Sequence, residues 1–198
     1  MANDITLFKT PDAIHLKTVI KKDDLKKDDK VDGYFINTDE KMARRIIESL
    51  SAKKSPPASG KKRIKSIIAL QGGDDSFNRR AIETLKIDYL VMPEAHSKRD
   101  TLKQRDSGIN HVVAKEAAKK KISLLINLSY LKSLDAKPQA KVLARVIQNI
   151  KICRKAKCGI KVASFAKNEK ALVSVSDIKR FLSSLGMSSQ QVQMAIDF

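Results

Sequence analysis

The sequence contains no tryptophan, and Phe, Tyr and Trp together make up only 5% of its 198 residues. A groove that stacks single-stranded bases on aromatic rings is therefore poorly supplied. Only two cysteines occur, Cys153 and Cys158. Two thiols build no disulfide framework, and a spacing of five on a helix points them to different sides, so each reads as a buried structural thiol. No stretch approaches the roughly 20 apolar residues of a membrane span, and residues 1–11 lack the charged and then apolar layout of a signal peptide. The expectation is a soluble, cytoplasmic protein with no membrane partner.

Motifs for catalysis are also missing. His15, His96 and His111 stand far apart, with no HxH, HExxH or paired CxxC beside them, so neither a metal nor a cofactor site is expected. Gly72-Gly73 is followed by Asp74-Asp75 and not by Lys-Ser or Lys-Thr, which excludes a P-loop. Those glycines instead let the chain leave a strand and cap the next helix. No GxSxG elbow marks a nucleophile.

What the chain has in excess is positive charge, 40 Lys plus Arg against 22 Asp plus Glu for a formal net charge of +18. Residues 1–50 hold 10 basic and 10 acidic side chains, whereas residues 51–198 hold 30 and 12, so the whole imbalance lies in the later part. A solvated surface needs no such bias, and it points to a polyanionic partner met through phosphate contact and shape. Hydrophobic residues at 42% suffice for a real core.

Apolar, β-branched runs at 5–8, 34–36, 64–70, 89–92, 122–128 and 160–165 read as strands. Helical patterns fall at 39–51, 74–86, 107–121, 135–157, 176–185 and 188–196. In the longest, Val142, Leu143, Val146, Ile147, Ile150 and Cys153 share one arc, and Lys141, Arg145, Gln148, Lys151 and Lys155 lie opposite. Alternation of strand and helix predicts an α/β parallel sheet, closed as a barrel or open and doubly wound. Residues 52–62, AKKSPPASGKK, read as an exposed flexible insertion in a single domain spanning 1–198.

The most informative stretch is 93–121, PEAHSKRDTLKQRDSGINHVVAKEAAKKK, which follows a strand and opens a helix. Lys98, Arg99, Lys103 and Arg105 crowd the loop. Asp106 or Ser107 is expected to cap the helix, leaving backbone N–H groups open to a phosphate. His111, Lys115 and Lys119 form one polar stripe, with Ile109, Val112 and Val113 facing the other way. The same charges also suit an ordinary solvated face.

RDSGINHVVAK at 105–115 resembles the hallmark segment of the ribonuclease P protein component 3 family, the archaeal form of a subunit shared with eukaryotes. NRRAIE at 78–83 and IDYLVMP at 87–93 resemble what precedes it. Residues 122–128, Asn149 and Arg154-Lys155, VASFA at 162–166, SDI at 176–178 and LGM at 185–187 follow in the family's order. The likeness spans 31–198, while residues 1–30 and the lysine-rich insertion depart from the pattern.

The resemblance implies a TIM-barrel-like fold, trimmed or distorted at this length, similar to the phosphoesterases of the polymerase and histidinol phosphatase type but without their HxH ligands. It implies a protein subunit that binds and stabilises the catalytic RNA of ribonuclease P, which removes the 5′ leader from precursor tRNA with Mg²⁺ used by that RNA. It further implies ribonuclease P protein component 2 and other protein subunits as partners, with no catalysis by the isolated chain. Arg79 and Arg105 align with basic positions of its motifs and are the first expected RNA contacts, with Arg80 beside Arg79. Lys98, Arg99, Lys103, Asn110, His111, Lys115, Arg154, Lys155, Lys167, Lys179 and Arg180 complete the expected RNA-binding set. A metal-dependent phosphoesterase or nuclease on the same barrel is the alternative, and a non-specific basic nucleic-acid binder is a third.

Overall fold

A computed structural model describes residues 4–25, 30–52, 66–96, 100 and 105–198. Seven strands pair in sequence order, every neighbour parallel: β1 (Asp4–Thr6), β2 (Ala13–Val19), β3 (Gly33–Ile36), β4 (Ile67–Gln71), β5 (Tyr89–Val91), β6 (Ser123–Asn127) and β7 (Ile160–Ala163). The ends of the sheet then meet. Phe165 N–H donates to the Ile5 carbonyl at 3.0 Å, and Leu7 N–H donates to the Ala166 carbonyl at 2.8 Å. Among the described residues the sheet is thus a barrel of seven strands, the trimmed form expected at this length.

Alternation along the strands explains how two cores form around one sheet. In β4, Ala69 belongs to the inner cluster with Ile5, Leu16, Phe35 and Phe165, whereas Ile68 and Leu70 pack outward. Phe35 and Phe165 meet edge to face with ring centroids 5.1 Å apart. The outward residues pack under three helices, α1 (Glu40–Ala52), α2 (Asp75–Thr84) and α3 (His111–Lys119). Beyond β6 lie α4 (Leu128–Lys132) and α5 (Ala136–Ala156), and beyond β7 lie α6 (Val175–Ser184) and α7 (Ser189–Ile196).

Gly72-Gly73 does leave a strand into a capped helix, since the Asp74 carboxylate accepts from Phe77 N–H at 2.8 Å. Helix α6 starts at Val175, one residue before the expected 176, and Ser174 caps it. Both cysteines are buried as expected, but they do not point to different sides. The helix stops at Ala156, and Lys157 adopts a left-handed conformation (φ 57°) that turns Cys158 back toward Cys153. Most of the insertion at 52–62 lies outside the described residues.

Candidate nucleic-acid interface

After β5 the chain makes a 3-10 turn at Pro93–His96, and residues 105–110 lead into α3. These residues are gripped from two sides. From α2, the buried Asn78 carboxamide donates to the carbonyls of Gly108 at 2.9 Å, Gly73 at 3.0 Å and Pro93 at 3.3 Å. Its oxygen accepts from Gly73 N–H at 2.8 Å. From α5, the Gln148 carboxamide accepts from Arg105 N–H at 3.2 Å and donates to the Arg105 carbonyl at 2.8 Å. Asn149 donates to the Ser107 carbonyl at 2.9 Å and to the Glu94 carboxyl at 3.3 Å.

Gly108 completes the grip. Its φ of +77° is a left-handed conformation that glycine adopts freely, and an added Cβ would lie 2.0 Å from the Pro93 carbonyl oxygen. Arg145, 7% exposed, donates from Nε to Asp100 at 2.9 Å and from Nη1 to the Glu94 carbonyl at 3.3 Å. Asp100 also accepts from Asp106 N–H at 3.0 Å. Burial pushes the Glu94 carboxyl up to about 7, opposed by the Asn149 hydrogen bond and the Arg145 charge. Burial and the adjoining Asp106 carboxyl also raise Asp75, with Asp74 adding to the effect. The neutral amides of Asn78, Gln148 and Asn149 thus fix the backbone of 105–110, joined by the Arg145–Asp100 pair through the Asp106 N–H.

Basic side chains are exposed on the helices that hold or follow this segment. Helix α2 packs on α3, and α3 packs on α5. Exposed on this row are Arg79 on α2, His111, Lys115 and Lys119 on α3, and Lys151 and Lys155 on α5, while Arg105 stands exposed at the start of the gripped segment. Arg79 pairs with Glu83 one turn on at 2.8 Å, both side chains largely in solvent. Arg80 makes a bidentate pair with Glu40 of α1, with contacts at 2.7 and 3.0 Å. That pair holds the Glu40 carboxyl below its usual range.

The structure corrects several expectations. The cap of α3 is Asn110, not Asp106 or Ser107: its carboxamide oxygen accepts from Val112 and Val113 N–H at 3.0 Å each. Ser107 is instead buried beneath Gln148. Asn110 thus spends that oxygen on the helix end itself. Val112 does not face inward, being 71% exposed, because α3 packs inward through Val113, Ala114 and Ala117 and leaves Val112 on the solvent side. Arg145 does not lie on the solvated side of α5, because Asp100 and the Glu94 carbonyl draw its guanidinium inward.

Arg154 is exposed, yet it is tied to Gln191 at 2.9 Å and to the Gly186 carbonyl at 2.7 Å, bracing the turn between α6 and α7. Lys167 is exposed after β7, and Lys179 and Arg180 are exposed on α6, which packs on α7. Lys98, Arg99 and Lys103 lie outside the described residues.

Sequence reasoning did not single out Asn78, Glu94, Gln148 or Asn149 as parts of the site. A signal existed for Asn149, which falls on the apolar arc of α5 between Val146 and Ile150, where a polar residue needs a partner.

Beside this segment, at the C-terminal ends of β3 and β4, is a cleft of about 440 Å³ lined by residues including Asn37, Gln71, Phe77, Arg80 and His96. Its acids are engaged: Asp39 accepts from Met42 N–H at 3.0 Å, Asp74 caps α2, and Glu40 holds Arg80. Among the described residues, no three His, Cys, Asp or Glu side chains are grouped to hold a metal ion. None of the helices among those residues is long and apolar enough to cross a membrane.

The barrel is similar to a chain in the cryo-EM structure of archaeal ribonuclease P with mature tRNA, with a TM-score of 0.63 at 24% identity over 82% of this chain and 63% of that one. A crystal structure of an amidohydrolase shares the fold more distantly, with a TM-score of 0.54 at 12% identity over 84% of this chain and 41% of the other. Ribonuclease P protein component 3 of Methanocaldococcus jannaschii is 29% identical over 119 residues, 60% of this chain and 48% of that protein. Its counterpart in Methanothermobacter thermautotrophicus is 28% identical over 130 residues, 66% of this chain and 50% of its own length. The chain spans about half the length of the curated relatives it matches. The profile described as RNase P subunit p30 matches residues 37–197, and the chain belongs to that family.

Proposed function

We propose that this chain is a protein subunit of ribonuclease P that binds the catalytic RNA and stabilises its active shape for removal of the 5′ leader from precursor tRNA. Its partners in this reading are the ribonuclease P RNA, protein component 2 and the other protein subunits in the cytoplasm, with Mg²⁺ serving the RNA. The carrying observation is the segment 105–110, fixed by Asn78, Gln148 and Asn149 and flanked by the exposed Arg79, Arg105, His111 and Lys115. Fixed cations replace condensed counterions on phosphates, and the gain is largest where no ordering of the chain opposes it. A phosphoesterase reading is disfavoured because the carboxylates of the neighbouring cleft already cap helices or hold Arg80.

The test is RNA binding across a salt series, in assemblies reconstituted with the cognate RNA and component 2. Arg79→Ala and Arg105→Ala should each weaken binding and flatten the log–log salt slope by about 0.7–0.9, the contribution of one phosphate. The Glu83 partner of Arg79 does not prevent this, since a solvent-exposed pair is easily exchanged for phosphate. Unchanged slopes in both variants would overturn the assignment.

A further inference from the structure

The C-terminal end of α5 closes on a left-handed residue that is not glycine. Lys157 is left-handed (φ 57°, ψ 31°), and both Lys157 and Cys158 donate their N–H groups to the Cys153 carbonyl, Cys158 at 3.0 Å. In a helix stop of this kind, the residue donating the longer of these bonds and the residue accepting it carry side chains that touch. That contact is ordinarily apolar, and here both positions are cysteine. The two residues are 1% and 8% exposed, belong to the same core cluster and carry free thiols, with Cys158 Sγ also 3.6 Å from the Ile122 and Gly159 carbonyl oxygens. A disulfide needs Cα atoms about 4.4–6.8 Å apart and Cβ atoms facing each other. Here the bond from Cys158 N–H to the Cys153 carbonyl at 3.0 Å draws the two backbones together across the closure.

We infer that Cys153 and Cys158 are a modification site, a dithiol that closes to an intramolecular disulfide when a low-molecular-weight disulfide reaches it. The roles of the two sulfurs differ. Cys158 is the more exposed, and the neighbouring Cys153 thiol favours its thiolate, whereas Cys158 and burial push the Cys153 thiol up. The Cys158 thiolate attacks one sulfur of the small disulfide and expels the other as a thiolate, leaving a mixed disulfide on Cys158. Cys153 then attacks the Cys158 sulfur, gives up its proton to solvent, and releases the second small thiol. One external disulfide is reduced to two thiols, and two protein thiols are oxidised to one disulfide. Burial slows the first step to the rate of local opening, while proximity makes the second fast.

The experiment treats the folded full-length chain with glutathione disulfide, quenches with acid, alkylates under denaturing conditions and digests with trypsin. Arg154, Lys155 and Lys157 separate the two cysteines, so the disulfide appears as two linked peptides. The expected product is a monomer lighter by two hydrogens that takes up no alkyl group. Cys153→Ser, checked for folding by thermal melting, should instead stop at a persistent glutathione adduct on Cys158, and Cys153→Ala serves if the serine variant does not fold. Alkylation of both cysteines after oxidant treatment, a stable adduct in the parent chain, or disulfide-linked dimers would overturn the inference.

Discussion

Asn78 offers the sharpest test of how the interface is held. It is fully buried, and one carboxamide serves Gly73, Pro93 and Gly108 together. Asn78→Ala deletes these bonds and leaves the Gly73 N–H and the Gly108 carbonyl without that partner. At about 1–3 kcal/mol for each of these two stranded groups, the loss should be about 2–6 kcal/mol. That is a large share of a typical folding stability of about 5–15 kcal/mol. Asn78→Asp is the more discriminating change. One carboxylate oxygen can still accept from Gly73 N–H, but the other is driven toward three carbonyl oxygens in a water-free site. The aspartate variant should therefore be less stable than the alanine variant at pH 7. Protonation restores a donor, so the aspartate's folded pKa is raised, and its stability should recover as pH falls toward 4. Urea unfolding at pH 7 and pH 5 reads both effects. An aspartate variant as stable as alanine at pH 7, with no gain at low pH, would refute the account of Asn78 as a three-way donor.

Two further variants probe the same framework. Glu94 keeps its proton up to about 7 in the folded chain, whereas an unfolded glutamate releases it near its ordinary value. The folded state thus binds more protons between those limits, and this site's contribution falls by roughly 3 kcal/mol as pH rises from 4 to 7. Glu94→Gln should remove that slope and exceed the parent's stability above pH 7, as read by urea midpoints across the range, and a persisting slope would contradict this. Gly108→Ala forces a side chain into a left-handed conformation and against the Pro93 carbonyl, so thermal unfolding should come at least several degrees lower and RNA affinity should drop. Unchanged melting and affinity would show that the turn at Gly108 is not required.

The sequence displayed the barrel in most of its parts. Six strands were visible as apolar runs, because strands covered by helices outside and by side chains inside are apolar on both faces. Strand β2 was not, since His15, Lys17 and Thr18 interrupt AIHLKTV and only Leu16 and Val19 are buried. Helix α4 escaped because its five residues continue directly from the apolar β6 run. Charge patterning exposed Arg79, Arg105, His111 and Lys115, but not which polar residues would turn inward. Arg145 repeats with the solvated residues of α5, and only Asp100, distant in sequence and close in space, decides its direction. Cys158 was misdirected for a similar reason: the helix was expected to end at 157, but a lysine there gave no sign of the left-handed turn that folds Cys158 back.

The amide grip explains how a chain with so much positive charge can present a defined surface. Cations alone attract phosphate without geometry, and a freely moving loop must be ordered when RNA binds. Ordering backbone costs about 1–2 kcal/mol per residue, so fixing 105–110 at the moment of binding would take roughly 6–12 kcal/mol. A nanomolar complex is worth only about 12 kcal/mol in total. In this fold the ordering of 105–110 is completed when α2, α3 and α5 pack, through hydrogen bonds from Asn78, Gln148 and Asn149. Uncharged amides suit the task, since a buried lysine or arginine in their place would need its own counter-charge, as Arg145 needs Asp100. The charge is left to side chains that stay in solvent, Arg79, Arg105, Lys115 and Lys155, where it can meet phosphate over a rigid backbone. It follows that loosening the grip should weaken RNA binding while leaving the number of phosphate contacts, and so the salt slope, nearly unchanged, whereas removing a cation should change both.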